Sequence, residues 1–213
     1  MAKETTRLLR KRTNLYDTAD KYMLVIERKM IRMFVDYKSI IIGFDELNIL
    51  KYTRKLYESL RTVCEYYFLL IAKEVYKKNG GQNSLISKRW LKPLLVRTNP
   101  VTLYSYTKET NRKRDSLIEA IIALKEQGED YEENIRRAMN AYQKIVEHFC
   151  DYVTDVAYID ALIERGVTRV MWMTEKDGRT CGTCKGLDGQ IFDIVNIPVK
   201  PHANCRCWVE PVE

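Results

Sequence analysis

Over roughly the first 165 residues, apolar side chains recur at three- and four-residue intervals, the period of a helix that buries one face. Tyr22, Val25, Ile26, Met30, Met33 and Phe34 set that rhythm for a first helix over about 14–39. Ile40-Ile41-Ile42-Gly43 interrupts it, and Asp45 is placed to cap a second helix reaching toward Lys78. Its expected buried stripe is Leu47, Leu50, Leu56, Leu60, Val63, Tyr67, Leu70, Ile71 and Val75. Asn79-Gly80-Gly81 supplies the stop, because glycine tolerates the positive φ that closes a helix. Residues 85–96 read as a short helix that Pro93 breaks or kinks, and Asn99-Pro100 as a turn. A third substantial helix is expected over about 104–127, with Gly128 after it. Asp130 then opens a fourth through Ile135, Met139, Tyr142, Ile145, Val146 and Phe149 to about Arg165, where Gly166 ends it. Glu132 and Glu133 fall in its first turn, where the helix dipole favours acids.

The pattern changes at Val167. Val167–Thr174 is β-branched and aromatic and reads as a strand; Gln190–Asp193 and Arg206–Val209 are further short strand candidates. Asp177-Gly178 and Asp188-Gly189 are hairpin-type turn dipeptides. The expected fold class is therefore mainly α, with long helices and a small C-terminal zinc-stapled β module, α+β overall. The expected division is a basic arm over 1–13, a helical body over 14–166 and a Cys/His-rich module over 167–213.

The module carries the candidate chemistry. Cys181-x-x-Cys184 and His202-x-x-Cys205-x-Cys207 place four of the six cysteines and one of the two histidines within 27 residues. Thiolate sulfur and imidazole nitrogen are the ligands that a tetrahedral structural zinc takes, and close pairs let one turn present two of them. Five candidates compete for four positions. Cys181, Cys184, His202 and Cys205 form the preferred set. Cys181, Cys184, Cys205 and Cys207, with His202 outside the metal's own ligands, form the alternative. Some 45 residues with few large aliphatics cannot bury enough surface to order themselves, so a cross-link is expected. One structural Zn²⁺ with four protein ligands leaves no position open for water or substrate.

Charge adds a second feature. Residues 1–114 hold 25 Lys/Arg against 11 Asp/Glu, a balance of +14; the remainder holds 11 against 18, a balance of −7. Such asymmetry points to contact with nucleic acid or another acidic surface through the basic part. Arg7, Arg10, Lys11 and Arg12 in the arm, and Lys108, Arg112, Lys113 and Arg114 in the third helix, are the candidate contacts. No apolar run approaches the roughly 20 residues needed to span a bilayer, and no secretory h-region follows Met1. A cytosolic chain is expected, where clustered cysteines serve metals rather than disulfides.

Motifs for catalysis are absent: no glycine-rich phosphate loop, no G-x-S-x-G and no H-E-x-x-H. A metal nuclease would need further histidines, and His148 alone lies outside the cluster. Turn formation accounts for Asp177 and Asp188, and apolar surroundings make Cys64 and Cys150 buried small hydrophobes. Nothing in the sequence argues for an enzyme.

The run W-x-T-x-x-D-G-R-T-C-x-x-C-x-x-L-D-G-x-x-F followed by P-H-x-N-C-R-C-W resembles the C-terminal signature of the phage head morphogenesis proteins, the Mu F-like minor head (minor capsid) proteins of tailed bacteriophages. The residues that carry it are Trp172, Thr174, Asp177, Arg179, Thr180, Cys181, Cys184, Leu187, Asp188, Gly189, Phe192, Pro201, His202, Asn204, Cys205, Arg206 and Cys207. The close match covers about 40 residues; a helix ending in Ala161–Val167 extends it more loosely to about 80. The N-terminal region has no residue-by-residue counterpart, which leaves any portal-contacting surface unassigned. The resemblance implies a virion component at the portal vertex and head interior, with the phage portal protein, capsid or scaffold subunits and packaged DNA as partners and no membrane. It implies a role in head assembly and in the fate of packaged DNA at ejection, and host cytoplasm as the place of assembly. Ending at Glu213, the chain looks like a short form without a cargo domain. The competing expectation is a cytosolic zinc-containing nucleic-acid-binding accessory or regulatory protein; a phage nuclease or degenerate toxin ranks third.

Overall fold

A computed structural model describes residues 14–41, 45–82, 85–203, 205 and 207–212. The arm over 1–13, with Arg7, Arg10, Lys11 and Arg12, and the interruption at Gly43 lie outside the described residues.

The fold is mainly α with a small C-terminal three-stranded sheet. A 3₁₀ turn, Asn14–Tyr16, leads into α1 (Asp17–Ile41); α2 (Glu46–Lys78), α3 (Lys88–Val96), α4 (Tyr106–Glu126) and α5 (Glu132–Glu164) follow. At 33 residues each, α2 and α5 run about 50 Å and form the spine of the body. Both pack along each other and against α1 and α4. The helix ends follow the capping chemistry of their residues. Asp45 accepts the Asn48 N–H at 2.8 Å, and Ser105 accepts that of Lys108 at 3.1 Å. Gly80, Gly128 and Gly166 take positive φ of 88°, 69° and 78° just past α2, α4 and α5.

The body buries one continuous core. Met23, Ile26, Met30 and Phe34 from α1 meet Leu60, Cys64, Phe68 and Ile71 from α2 and Tyr142, Val146, Phe149 and Val153 from α5. An aromatic triangle sits in it: Phe68 lies 4.7 Å from Phe149 and 5.2 Å from Tyr106, and Tyr106 lies 4.9 Å from Phe149, centroid to centroid. The hydroxyls of Tyr106 and Tyr142 pair at 2.8 Å, so each satisfies the other away from water. Cys64 and Cys150 are buried in this core as expected, and burial pushes the Cys64 thiol up to about 12.

Two details of the body depart from the sequence pattern. The buried face of α2 runs through Ile49, Thr53, Leu56, Tyr57, Leu60, Cys64, Phe68, Ile71, Ala72 and Val75, whereas Leu47 is 78% exposed and Leu50, Val63, Tyr67 and Leu70 are only half-buried. Because α2 meets four other helices, small and polar side chains fill places in its stripe. Thr53 can be buried because its hydroxyl donates to the Ile49 carbonyl at 2.7 Å and pairs with Tyr37. Pro93, in turn, does not end α3. The helix continues to Val96, and the Arg97 N–H reaches the Pro93 carbonyl at 2.9 Å. Only the N–H that Pro93 lacks is lost, opposite the exposed residue Arg89.

In the module, β1 (Arg169–Met173) is central between β2 (Ile191–Asp193) and β3 (Trp208–Pro211), both antiparallel to it. Val170 faces Phe192, and Trp172 faces Val209. The sequence placed the last strand two residues earlier and had no helix here, yet α6 (Gly182–Leu187) forms between the two turns. The module has its own core, Val170, Trp172, Cys184, Ile194, Cys205, Cys207 and Val209, closed by Leu162 from α5.

A polar cluster around Lys200 ties module to body. The Lys200 ammonium donates to both Asp155 carboxylate oxygens, at 2.7 and 2.9 Å, and to the Tyr16 hydroxyl, which itself donates to Asp155 at 2.5 Å. With side-chain exposures of 18% and 25%, the ion pair is largely withdrawn from water. Asp155→Asn is expected to cost about 2–3 kcal/mol, because the lysine then lacks its counter-charge. Replacing Lys200 and Asp155 together by Met and Leu should cost much less. A double-mutant cycle on thermal unfolding reads the difference.

The same cluster makes the fold sensitive to alkali. Burial alone would lower the Lys200 pKa, but the facing Asp155 and Tyr16 outweigh it and the net direction is upward. Burial also raises Tyr16, Tyr106 and Tyr142, and lifts Tyr37 and Tyr104 to about 12. Groups whose folded pKa is raised keep a proton that the unfolded chain loses near pH 10. Their stabilisation is complete below about pH 10 and falls as pH climbs toward the folded values. A tyrosinate absorbance titration should show a late, cooperative step near pH 12 coincident with loss of helical circular dichroism. Normal titration of all 14 tyrosines near pH 10 would contradict it.

Candidate metal centre

Three segments build the centre. Cys181 caps α6, its sulfur accepting the Cys184 N–H at 3.4 Å, so the Cys-x-x-Cys turn brings both thiols to one end of the helix. Cys205 and Cys207 come from the segment that enters β3. Around them, Asp188 accepts from the Thr174 N–H and hydroxyl, both at 3.0 Å, and the Gly189 N–H reaches the Trp172 carbonyl at 2.8 Å. Gly189 has φ of 77°, which its lack of a Cβ makes cheap. These bonds fasten α6 to β1. Asp177 accepts from the Arg179 N–H at 3.0 Å and the Thr180 hydroxyl at 3.3 Å, closing the turn before Cys181. Both aspartates thus hold turns.

The sulfurs of Cys184, Cys205 and Cys207 all lie within 4.8 Å of one another, and all three residues are buried. Cys184 and Cys205 are 3.5 Å apart, well beyond a disulfide bond. A tetrahedron with metal–sulfur bonds of about 2.3 Å has edges near 3.8 Å, so three of its corners are in place and the trio can hold a metal ion. Among the described residues this is the one such group of His, Cys, Asp or Glu.

The electrostatics of the trio favour a cation. Bonds from Cys207, above all its thiol and also its backbone, hold the Cys205 thiol down at about 6. Burial pushes Cys184 up to about 12, and the bond to Cys205 together with burial pushes Cys207 up as well. One sulfur ionises readily and the other two resist, because thiolates this close repel in an apolar setting. A bound divalent ion would remove that repulsion and keep all of them ionised.

The other candidates fall as follows. Cys181 is half-buried beside Cys184, outside the trio and against the module core. His202 is exposed; its carbonyl accepts the Cys205 N–H at 3.0 Å, and it lines a cavity of about 30 Å³ with His148, Asp151 and Cys205 on the α5 side of the cluster. His148 is half-buried, its Nδ1 3.3 Å from the Tyr104 hydroxyl. Of the basic candidates on α4, Arg112 is held by both oxygens of Glu109, and Arg114 by Asp115 at 2.8 Å. Lys108 is exposed on α4, and Lys113 faces α5 across a groove. Sequence reasoning passed over Arg137 and Lys144, which line that groove from α5, because Arg136-Arg137 is only a pair close to Glu132 and Glu133 and Lys144 stands singly.

No described helix is long and apolar enough to cross a membrane. Comparison with protein-family models, with curated proteins and with solved structures gives no significant match.

Proposed function

We propose that Cys181, Cys184, Cys205 and Cys207 hold one structural Zn²⁺, and that the protein is a minor head protein of a tailed phage. In this reading it sits at the portal vertex and head interior, supports head assembly and the handling of packaged DNA, and performs no catalysis. The observation that carries it is what the residues of the resemblance do. Thr174, Asp188 and Gly189 lock α6 against β1, Asp177 and Thr180 close the turn, and the cysteines converge. In this reading the motif is a set of structural roles around one ion. Zinc suits buried sulfur ligands in a reducing compartment, and four protein ligands make the site structural. Cys181 supplies the fourth sulfur by a rotation of its side chain from the lip of the cluster. His202, exposed and turned toward α5, stays off the metal.

The head assignment is tested by affinity capture from cells assembling the source phage, with nuclease treatment and mass spectrometry of what remains. Portal or capsid subunits surviving the nuclease are the expected result. Recovery of nuclease-sensitive DNA alone would favour a cytosolic zinc-containing nucleic-acid-binding accessory protein, the reading that the charge asymmetry by itself supports.

A further inference from the structure

A groove of about 390 Å³ runs between the first half of α4 and the middle of α5. Its charged and polar lining is Lys113 and Glu109 from α4, Arg137, Asn140, Lys144 and His148 from α5, with Tyr104 at one end. The one carboxylate, Glu109, is occupied by the Arg112 guanidinium, whose adjacent charge and hydrogen bonds hold its pKa below the usual value. Lys113 and Lys144 stand in no ion pair among the described residues. Arg137 pairs with Glu133 at 2.9 Å, but both side chains are largely exposed, and such pairs hold their partners weakly. A guanidinium in that position can turn to a better acceptor at small cost.

We propose that this groove binds phosphate groups. Lys113 and Lys144 provide charge from opposite walls, Arg137 a planar donor fork, and Asn140 and Tyr104 neutral donors. Two sources carry this chemistry: the backbone of a nucleic acid, or a free phosphate. The open, two-walled shape favours the backbone, because a strand can run along it. The inference deepens the DNA contact proposed above and rests on that part of it. It moves the contact from the α4 stripe, where Arg112 and Arg114 are already engaged, to the groove between two helices.

The test is fluorescence anisotropy of a labelled DNA duplex with the full chain, across a range of salt concentrations. The variant Lys113→Gln/Lys144→Gln is compared with Lys73→Gln/Lys125→Gln, which removes the same charge from exposed positions outside the groove. Loss of two phosphate contacts is expected to weaken binding on the order of tenfold and to reduce the salt slope by about two. The control pair should change affinity less than about threefold, since it removes only distant charge. Equal weakening by the two pairs would overturn the groove while leaving DNA binding in place. Absence of DNA binding by the unaltered chain would remove the nucleic-acid contact altogether. Inorganic phosphate that shifts the Asn140 and Lys144 amide resonances, when DNA does not, would keep the site and assign it to a free anion; no shift with either ligand would overturn it.

Discussion

Cys184→Ser is expected to abolish zinc binding and unfold residues 167–212 while leaving the helical body folded. Cys184 is the most enclosed of the trio at 1% exposure, and it belongs to both the metal cluster and the module core. Apart from cysteines, that core holds Val170, Trp172, Ile194 and Val209, with Leu162 lent by α5. So few apolar side chains do not offset the entropy of ordering the segment. Binding of structural zinc in small domains contributes on the order of 10–16 kcal/mol, so on the proposed four-cysteine centre its loss would remove most of what holds the module. Zinc content should fall to background. Limited proteolysis should cut beyond Gly166 and leave the body, and helical circular dichroism should change little. His202→Ala is expected to keep its zinc and its resistance to protease. A Cys184→Ser protein as resistant as the parent would show that the module stands without its metal.

Phe68→Ala is expected to do the converse. Phe68 is fully buried and contacts Tyr106 and Phe149 at the crossing of α2, α4 and α5. Removing its ring opens a cavity in a packed interior, at about 3–5 kcal/mol. For a chain of this length that is roughly a 10 °C fall in the melting temperature. Zinc stoichiometry should not change, because Phe68 and the cysteine cluster belong to separate cores. A fall in zinc content together with the melting temperature would mean that body and module unfold as one unit, with the Lys200–Asp155–Tyr16 tie as the coupling.

The helical body was legible in the sequence because its signals are local. Asp45, Gly80, Gly128 and Gly166 act on their own turns, and each does so in the structure. The face of α2 was less legible, since Thr53 and Cys64 are buried only because Tyr37 and the opposing helices receive them. Periodicity counts large aliphatics and cannot see a partner that completes a small residue. In the module, cysteine spacing pointed to a cluster, and Cys184, Cys205 and Cys207 do converge. Where His202 sits was not legible. Two residues separate it from Cys205, and only the path of the chain past α5 decides which side its ring takes. Helix α6 was missed for a related reason: six residues carry too little periodicity, and the helix exists because Cys181 caps it and Asp188 anchors its end. The Lys200–Asp155 tie and the α4–α5 groove join residues far apart in sequence, so no local pattern announces them.

The most direct measurement is zinc K-edge X-ray absorption on protein purified without chelator, together with its metal stoichiometry. One zinc per chain with four sulfur neighbours at about 2.3 Å is the expected result. A folded protein without metal, or a zinc with nitrogen at about 2.0 Å in place of one sulfur, would contradict the four-cysteine centre; the first would also remove the staple on which the module's fold is argued to depend.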